Sequence, residues 1–422
     1  MRDIKKIGVE YIEEYLDIYL NAYPAYKTRD EECRGKYRKK ITFDMTHDKD
    51  VDFVGMIEDG KLIALMKLVN YKMNIYGKMQ KAVGLMSLAV HPLHKKKGVA
   101  LEMVKYYEEY SKNTGALVDV LLPFNMGFYR KMGYGLGSKL DEYYLNTIQL
   151  PAYHEQSHLR LLDKGDIQSV LDCHNDFAEK NHGMLKKFEE EIRDVISDFT
   201  TVRVGYFDED KLLGYVAYNY KETHESNYTE NMIVVDELIY SDGEVLRELL
   251  AYLRNQADLA QRIIIRSGEA EFYHLFDNPA DLSRNYTAFG YIQTNTSLIG
   301  NMYKVLNPKA FVDATSYRML APVDIDVRFA YIDELDKSEH EIVISVRKNP
   351  ERKYGTWAVS DNKNVDVSVK CNKGDLSSLL MNSARLGQLI SLGAVKIDKP
   401  EYASLLDMVF YFGQKPYSNS DF

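Results

Sequence analysis

Residues 86–104 read MSLAVHPLHKKKGVALEMV, and the rest of the chain can be read outward from them. The apolar run MSLAV ends at His91-Pro92. Proline has no N–H and biases the residue before it away from the helical region, so a strand stops there. Lys95, Lys96, Lys97 and Gly98 then make a basic turn. Beyond it Val99, Met103, Tyr106 and Tyr110 recur at helical spacing, which predicts a helix with one apolar face. Gly115 is a natural stop for that helix. A turn of this kind suits an anion. The first N–H groups of a helix have no internal acceptor, and the positive end of its dipole lies behind them. The lysines add charge, and Gly98 lets a ligand come close to the backbone. A diphosphate fits this description; a solvated basic turn fits it too.

Around this centre the periodicity predicts helices at 11–23 and 34–41, and strands at 51–57, 61–69 and 82–90. Glu58-Asp59-Gly60 reads as a hairpin turn between the first two of these strands. A strand at 116–122, a short helix at 125–132 and a strand at 141–147 are expected to close a unit spanning 1–150. A similar order follows Pro151. Helices are expected at 166–180 and 188–198, and strands at 201–207, 211–220 and 231–240. A helix at 243–260 and a strand at 262–266 complete this second unit, 151–300, which reads as a copy of the first. Met132-Gly133-Tyr134 is echoed at Phe289-Gly290-Tyr291. From 301 to 422 the texture changes: strands at 325–332, 340–347 and 364–371, then a mostly helical segment at 376–392. The fold class expected is mixed α/β or α+β in three domains.

The chain has 422 residues, enough for several cores, and its 45% hydrophobic and 28% charged content is that of a globular protein. A net charge of -9 does not steer it toward nucleic acid or anionic lipid, and is compatible with a cationic substrate. Cys33, Cys173 and Cys371 form no CxxC pair, which fits a reducing compartment. The start, MRDIKKIGVEYIEEYL, is too charged for a signal peptide, and no stretch is long and apolar enough for a membrane span. A cytoplasmic protein is the expectation. With 33 tyrosines, no single tyrosine is a signal by itself.

The motif Lys95-x-x-Gly98-x-Ala100, after a strand ending in Val90-x-Pro92, resembles the acyl-CoA pyrophosphate loop of the GNAT acetyltransferases. That family more often has Arg or Gln where Lys95 stands; Lys keeps the charge but loses the planar fork. Residues 123–135, PFNMGFYRKMGYG, are similar to the GNAT segment in which a tyrosine reaches the CoA sulfur. With its length, its doubled domain and its ending in Phe422, the whole chain resembles the Eis (enhanced intracellular survival) family of N-acetyltransferases. The resemblance implies an active GNAT domain at 1–150 and a second GNAT-like domain without cofactor at 151–300. It implies a third domain at 301–422 like sterol carrier protein, and assembly as hexamers. Residues 239–246, IYSDGEVL, lack the basic residue, Gly and Ala of the first copy, in keeping with a second domain that holds no CoA.

Carried over, the resemblance gives each residue a role. Leu88, Ala89 and Val90 would pair through their backbone with the pantetheine arm. Lys95, Lys96, Lys97, Gly98, Val99, Ala100 and Leu101 would hold the pyrophosphate. Phe124 and Asn125 would touch acetyl-CoA further along; from the residues alone they read equally well as the start of the next helix. Tyr129 would protonate the departing thiolate. The α-carboxylate of Phe422 would take a proton from the attacking amine. The chemistry needs these types: an ammonium is not a nucleophile, and a terminal carboxyl of ordinary pKa, about 3.3–3.7, is ionised at neutral pH. The acceptor implied is a primary amine on a cationic small molecule, aminoglycoside-like or polyamine, or a lysine side chain. A non-catalytic CoA- or lipid-binding protein is the competing reading.

Residues 154–158, HEQSH, match the HExxH zinc signature formally. That chemistry needs both histidines on one face of a stable helix. Here Pro151 lies upstream, and Leu159 and Leu161 alternate with Arg160 as in a strand. No metal is expected.

Overall fold

The computed structural model describes residues 2–23, 30–152, 157–189, 191–192, 200–283, 285 and 289–418. They form two compact units: Met1–Gly137 with Asn301–Lys415, and Ser138–Gly300 with Pro416–Ser420.

In the first unit a seven-stranded sheet carries β1 (Arg2–Lys6), β2 (Val51–Glu58), β3 (Lys61–Ile75), β4 (Lys78–Val90), β5 (Val118–Leu121) and β6 (Gly135–Leu136). Strands β2 and β3 are buried on both faces over most of their length, which is why they read as mainly apolar runs rather than as an alternation. Asp59 and Gly60 both adopt positive φ, the twist a two-residue hairpin needs. Tyr76 and Gly77 do the same between β3 and β4, a hairpin that the sequence reading did not place. Helices α1 (Ile12–Ala22), α2 (Glu31–His47) and α3 (Val99–Thr114) flank the sheet, and Gly115 ends α3 in the left-handed region. The buried stripe of α3 runs through Val99, Met103, Val104 and Tyr107. Tyr106 and Tyr110, expected in the stripe, are half-buried at its margin.

The second unit repeats the plan. Its sheet holds β7 (Lys139–Asn146), β8 (Leu159–Leu161), β9 (Val202–Asp208), β10 (Lys211–Glu222), β11 (Asn231–Tyr240), β12 (Ala260–Ser267) and β13 (Thr296–Ile299). Helices α5 (Ile167–Lys180) and α6 (Gly243–Arg254) belong to it, and between β5 and β6 of the first unit lies the short helix α4 (Met126–Arg130).

The strand expected at 141–147 to close the first unit lies instead in the second sheet, as β7 between β12 and β13. Its place in the first sheet is taken by β14 (Met302–Val305), which follows the whole second unit and pairs with both β5 and β6. Periodicity reports which residues are apolar but not which sheet they join, so this exchange was invisible in the sequence.

A third sheet, in the order β17 (Gly355–Ser360), β16 (Glu339–Lys348), β15 (Ile325–Ile332), β18 (Val367–Asn372) and β19 (Lys396–Ile397), completes the first unit. Helix α7 (Pro308–Ala314) leads into it. The segment expected helical at 376–392 is two helices, α8 (Lys373–Leu380) and α9 (Leu386–Ser391), separated where Asn382 turns left-handed. The tip of the β3–β4 hairpin docks here: Tyr76 packs its ring edge-on against Phe311, Trp357 and Phe412. Most of the helix expected at 188–198 lies outside the described residues.

Candidate active site

Strand β4 decides where the site is. On one edge it pairs with β3 along its length. On the other it pairs with β5 in parallel only from Ala82 to Leu85. Beyond Leu85 the two strands part, and among the described residues no strand pairs with the β4 backbone of residues 86–90 on that side. A bulge marks the parting: the β3–β4 register shifts between Leu65–Ala89 and Lys67–Met86, and Ser87 is driven to φ +54. The Tyr107 hydroxyl sits at the fork, donating to the Val83 carbonyl at 2.6 Å and accepting from the Val120 N–H at 3.1 Å. Leu88, Ala89 and Val90 therefore lie on an opened edge.

After β4 the chain turns. Lys96 at φ +62 and Gly98 at φ +81 are both left-handed, and α3 starts at Val99. Gly98 is the N-cap of α3 and offers no side-chain cap. Among the described residues, the N–H groups of the first turn, Val99, Ala100 and Leu101, thus have neither an intrahelical nor a capping acceptor. Lys95, Lys96 and Lys97 are exposed around them. A Cβ at Gly98 would meet nothing nearer than the Glu102 carboxylate at 3.8 Å. Bare donors, nearby positive charge and open space fit a diphosphate.

Arg2 holds this loop from below, and nothing in the sequence singled it out. Its guanidinium donates to Glu58 at 3.0 Å, to Glu102 at 2.5 Å and to the Lys97 carbonyl at 3.3 Å. Strand β1 was not expected at all, because RDIKK is exposed and charged.

Tyr129 sits on α4 and is 3% exposed, packed edge-on by Phe124, Phe128 and Tyr134. Its carbonyl accepts from the Met132 and Tyr134 N–H groups, which curls the chain through left-handed Gly133. Burial pushes the Tyr129 phenol well above its ordinary pKa, and the Tyr23 hydroxyl adds to the shift. Tyr23, at the end of α1, donates to the Leu88 carbonyl at 3.3 Å. It is a second phenol at the opened edge, and one of 33 tyrosines gave no reason to pick it. Phe124 is 72% exposed beside Tyr129. The Asn125 carboxamide is engaged as the N-cap of α4, accepting from the Phe128 N–H at 3.0 Å. Phe422 lies outside the described residues.

The second unit has the same fork. β11 pairs with β12 in parallel only as far as Val234, and the β10–β11 register shifts just beyond. Its helix start differs. Asp242 is the N-cap of α6, and its carboxylate accepts from the Glu244 and Val245 N–H groups at 2.9 and 3.1 Å. The donors that stand open at α3 are spent at α6 on an acid. Of HEQSH, His154 and Glu155 lie outside the described residues; His158 precedes β8, stacked on Tyr206 and bonded to Glu248. Among the described residues no cluster of His, Cys, Asp or Glu is arranged to hold a metal ion. No helix among them is long and apolar enough to cross a membrane.

Two family profiles, each described as an acetyltransferase (GNAT) domain, match residues 3–137 and 183–292, and between them take in more than half of the chain. The chain is a GNAT acetyltransferase. Its full length also follows known folds. A GCN5-related N-acetyltransferase from Anabaena variabilis superposes with TM-score 0.79 at 14% identity, covering 100% of both chains. One from Kribbella flavida superposes with TM-score 0.76 at 18% identity, covering 100% of this chain and 98% of that one. Eis1 from Mycobacterium abscessus does so with TM-score 0.74 at 17% identity, covering 100% of both. No curated protein sequence matches. This acetyltransferase therefore has two GNAT domains and a C-terminal α+β domain, the architecture of Eis, with an acyl-CoA as the co-substrate its family implies.

Proposed function

We propose that the chain transfers acetyl from acetyl-CoA to a primary amine of a cationic small molecule, aminoglycoside-like or polyamine, or of a lysine side chain, directly in a ternary complex. The observation that carries this reading is the opened β4 edge running into the uncapped, lysine-flanked start of α3, with Tyr129 buried beside it. Residues 88–90 pair with the pantetheine arm, 95–101 hold the diphosphate, and Phe124 and Asn125 border it. The amine nitrogen attacks the thioester carbon and the C–S bond breaks. The thiolate takes its proton from Tyr129, which burial keeps protonated throughout the neutral range. The nitrogen loses its proton to the Phe422 carboxylate, a role that rests on the Eis resemblance. Each proton transfer contributes about 10²- to 10⁴-fold, and alignment of amine and thioester supplies much of the rest. The second GNAT domain holds no CoA, because Asp242 occupies the helix start where phosphate would bind. Cytoplasmic location, hexameric assembly and a sterol-carrier-like third domain belong to the same reading.

The test is to incubate the full chain with acetyl-CoA and a panel of polyamines, aminoglycosides and lysine peptides. Free CoA is followed with a thiol reagent and products by mass. Acceptor-dependent CoA release with acetylated product is expected. Tight CoA binding without release on any acceptor would favour the non-catalytic reading instead.

A further inference from the structure

Lys304 lies on β14, the strand that enters the first sheet after the whole second GNAT domain. Its side chain is 1% exposed. The ammonium donates to Glu108 at 2.6 Å, to the Met132 carbonyl at 2.9 Å and to Asp333 at 3.0 Å. An ammonium has three N–H donors, and all three are used. Burial works against the charge, but Glu108 and Asp333 outweigh it and hold the pKa above the ordinary lysine value. Asp119 lies directly across on β5.

The three acceptors come from three places. Glu108 is on α3, the helix whose uncapped start is the diphosphate site of the proposed function. Asp333 is in the loop after β15 of the C-terminal domain. Met132 is in the turn that carries Tyr129: its N–H is bonded to the Tyr129 carbonyl at 2.9 Å while its own carbonyl is held by Lys304. Gly133 is pressed onto the ammonium so closely that a Cβ there would lie 3.0 Å from Nζ. The same turn is braced by an ion pair from Arg130 to Asp375 at 3.2 Å, at the start of α8.

We infer that Lys304 is a positioning residue for Tyr129: through the Met132 carbonyl it fixes the turn that aims the phenol at the thiolate, and so makes the C-terminal domain part of the catalytic geometry. The inference rests on the acid role proposed for Tyr129. Displacing a reacting group by about 1 Å costs roughly 10²-fold. Replacing Lys304 should therefore lower kcat roughly 10- to 100-fold while acetyl-CoA affinity moves less than about twofold.

The test is a double-mutant cycle between Lys304→Met and Tyr129→Phe, read by acetyl transfer to a mixture of spermidine and kanamycin and by acetyl-CoA binding. If Lys304 acts through the phenol, its replacement costs nothing further in the Tyr129→Phe background. An equal loss in both backgrounds would overturn the inference while leaving the acid role standing. An unimpaired Tyr129→Phe variant would instead remove the acid role. Since Lys304→Met strands two buried carboxylates, a charge-balanced variant carrying Glu108→Gln and Asp333→Asn as well is run beside it. Amide exchange over 126–134 gives a readout independent of the acceptor: faster exchange confined to this turn is expected, and unchanged exchange there would also overturn the inference.

Discussion

The Tyr23 hydroxyl donates to the carbonyl oxygen of Leu88 at 3.3 Å, tying the end of α1 to the bulged strand at the opened edge. The same hydroxyl influences the Tyr129 phenol. Removing it should weaken alignment more than binding. Tyr23→Phe is expected to lower kcat about 3- to 10-fold, in line with loss of one neutral hydrogen bond of about 1 kcal/mol, and to leave the acetyl-CoA Kd within about twofold. Steady-state kinetics with calorimetric binding checks this; a changed Kd with unchanged kcat would contradict it.

Gly98→Asp copies at α3 what Asp242 does at α6. The substituted residue would be held at φ +81, a strain of about 1–2 kcal/mol, and its carboxylate would compete for the first-turn N–H groups. Acetyl-CoA binding should fall at least about tenfold, since a capping acid replaces an anion site of helix-end donors. Titration calorimetry measures it, and affinity within about twofold of the parent would rule out this loop as the phosphate cradle.

The terminal-carboxylate role predicts that a few residues added after Phe422 abolish turnover with acetyl-CoA binding intact. Upstream of the end, the Tyr417 N–H bonds the His182 carbonyl at 2.7 Å, and its ring packs edge-on against Phe177 and directly over Gly268. Gly268→Val would drive a side chain into that ring and should lower turnover as the extension does. An extended chain with full activity would sink the role.

Lys373 is buried, and that burial pushes its pKa down to about 8 from 10.5, with Asp333 pulling the other way. The native state therefore releases this proton near pH 8, while the unfolded chain keeps it to about 10.5. Between those values the unfolded state binds more protons, so stability rises with pH across the window and carries the full penalty below it. Lys373→Met should stabilise the fold near neutrality by about 1–2 kcal/mol, net of the bond lost to the Leu306 carbonyl, and flatten the rise toward pH 10. Urea unfolding at both pH values decides it; a destabilised variant with the rise retained would count against the assignment.

Much of this protein was legible in the chain itself. The run MSLAV, the break at Pro92, the lysines and Gly98 determined a strand, a turn and a bare helix start, because proline, glycine and apolar periodicity act within a few residues. The stretch IYSDGEVL likewise lacked the basic residue, Gly and Ala of the first copy, while the Asp242 cap that fills its helix start emerged only in the structure. Longer-range relations were not legible. That β14 rather than β7 enters the first sheet depends on which edges meet once both domains have folded. Arg2 under the loop, Tyr23 on Leu88 and Lys304 on Met132 join residues 65 to 172 positions apart. Such contacts leave no periodic trace in a single sequence, because burial and charge pairing are properties of the space between elements. Tertiary structure alone put Tyr107 at the fork and Lys304 behind the turn that follows Tyr129.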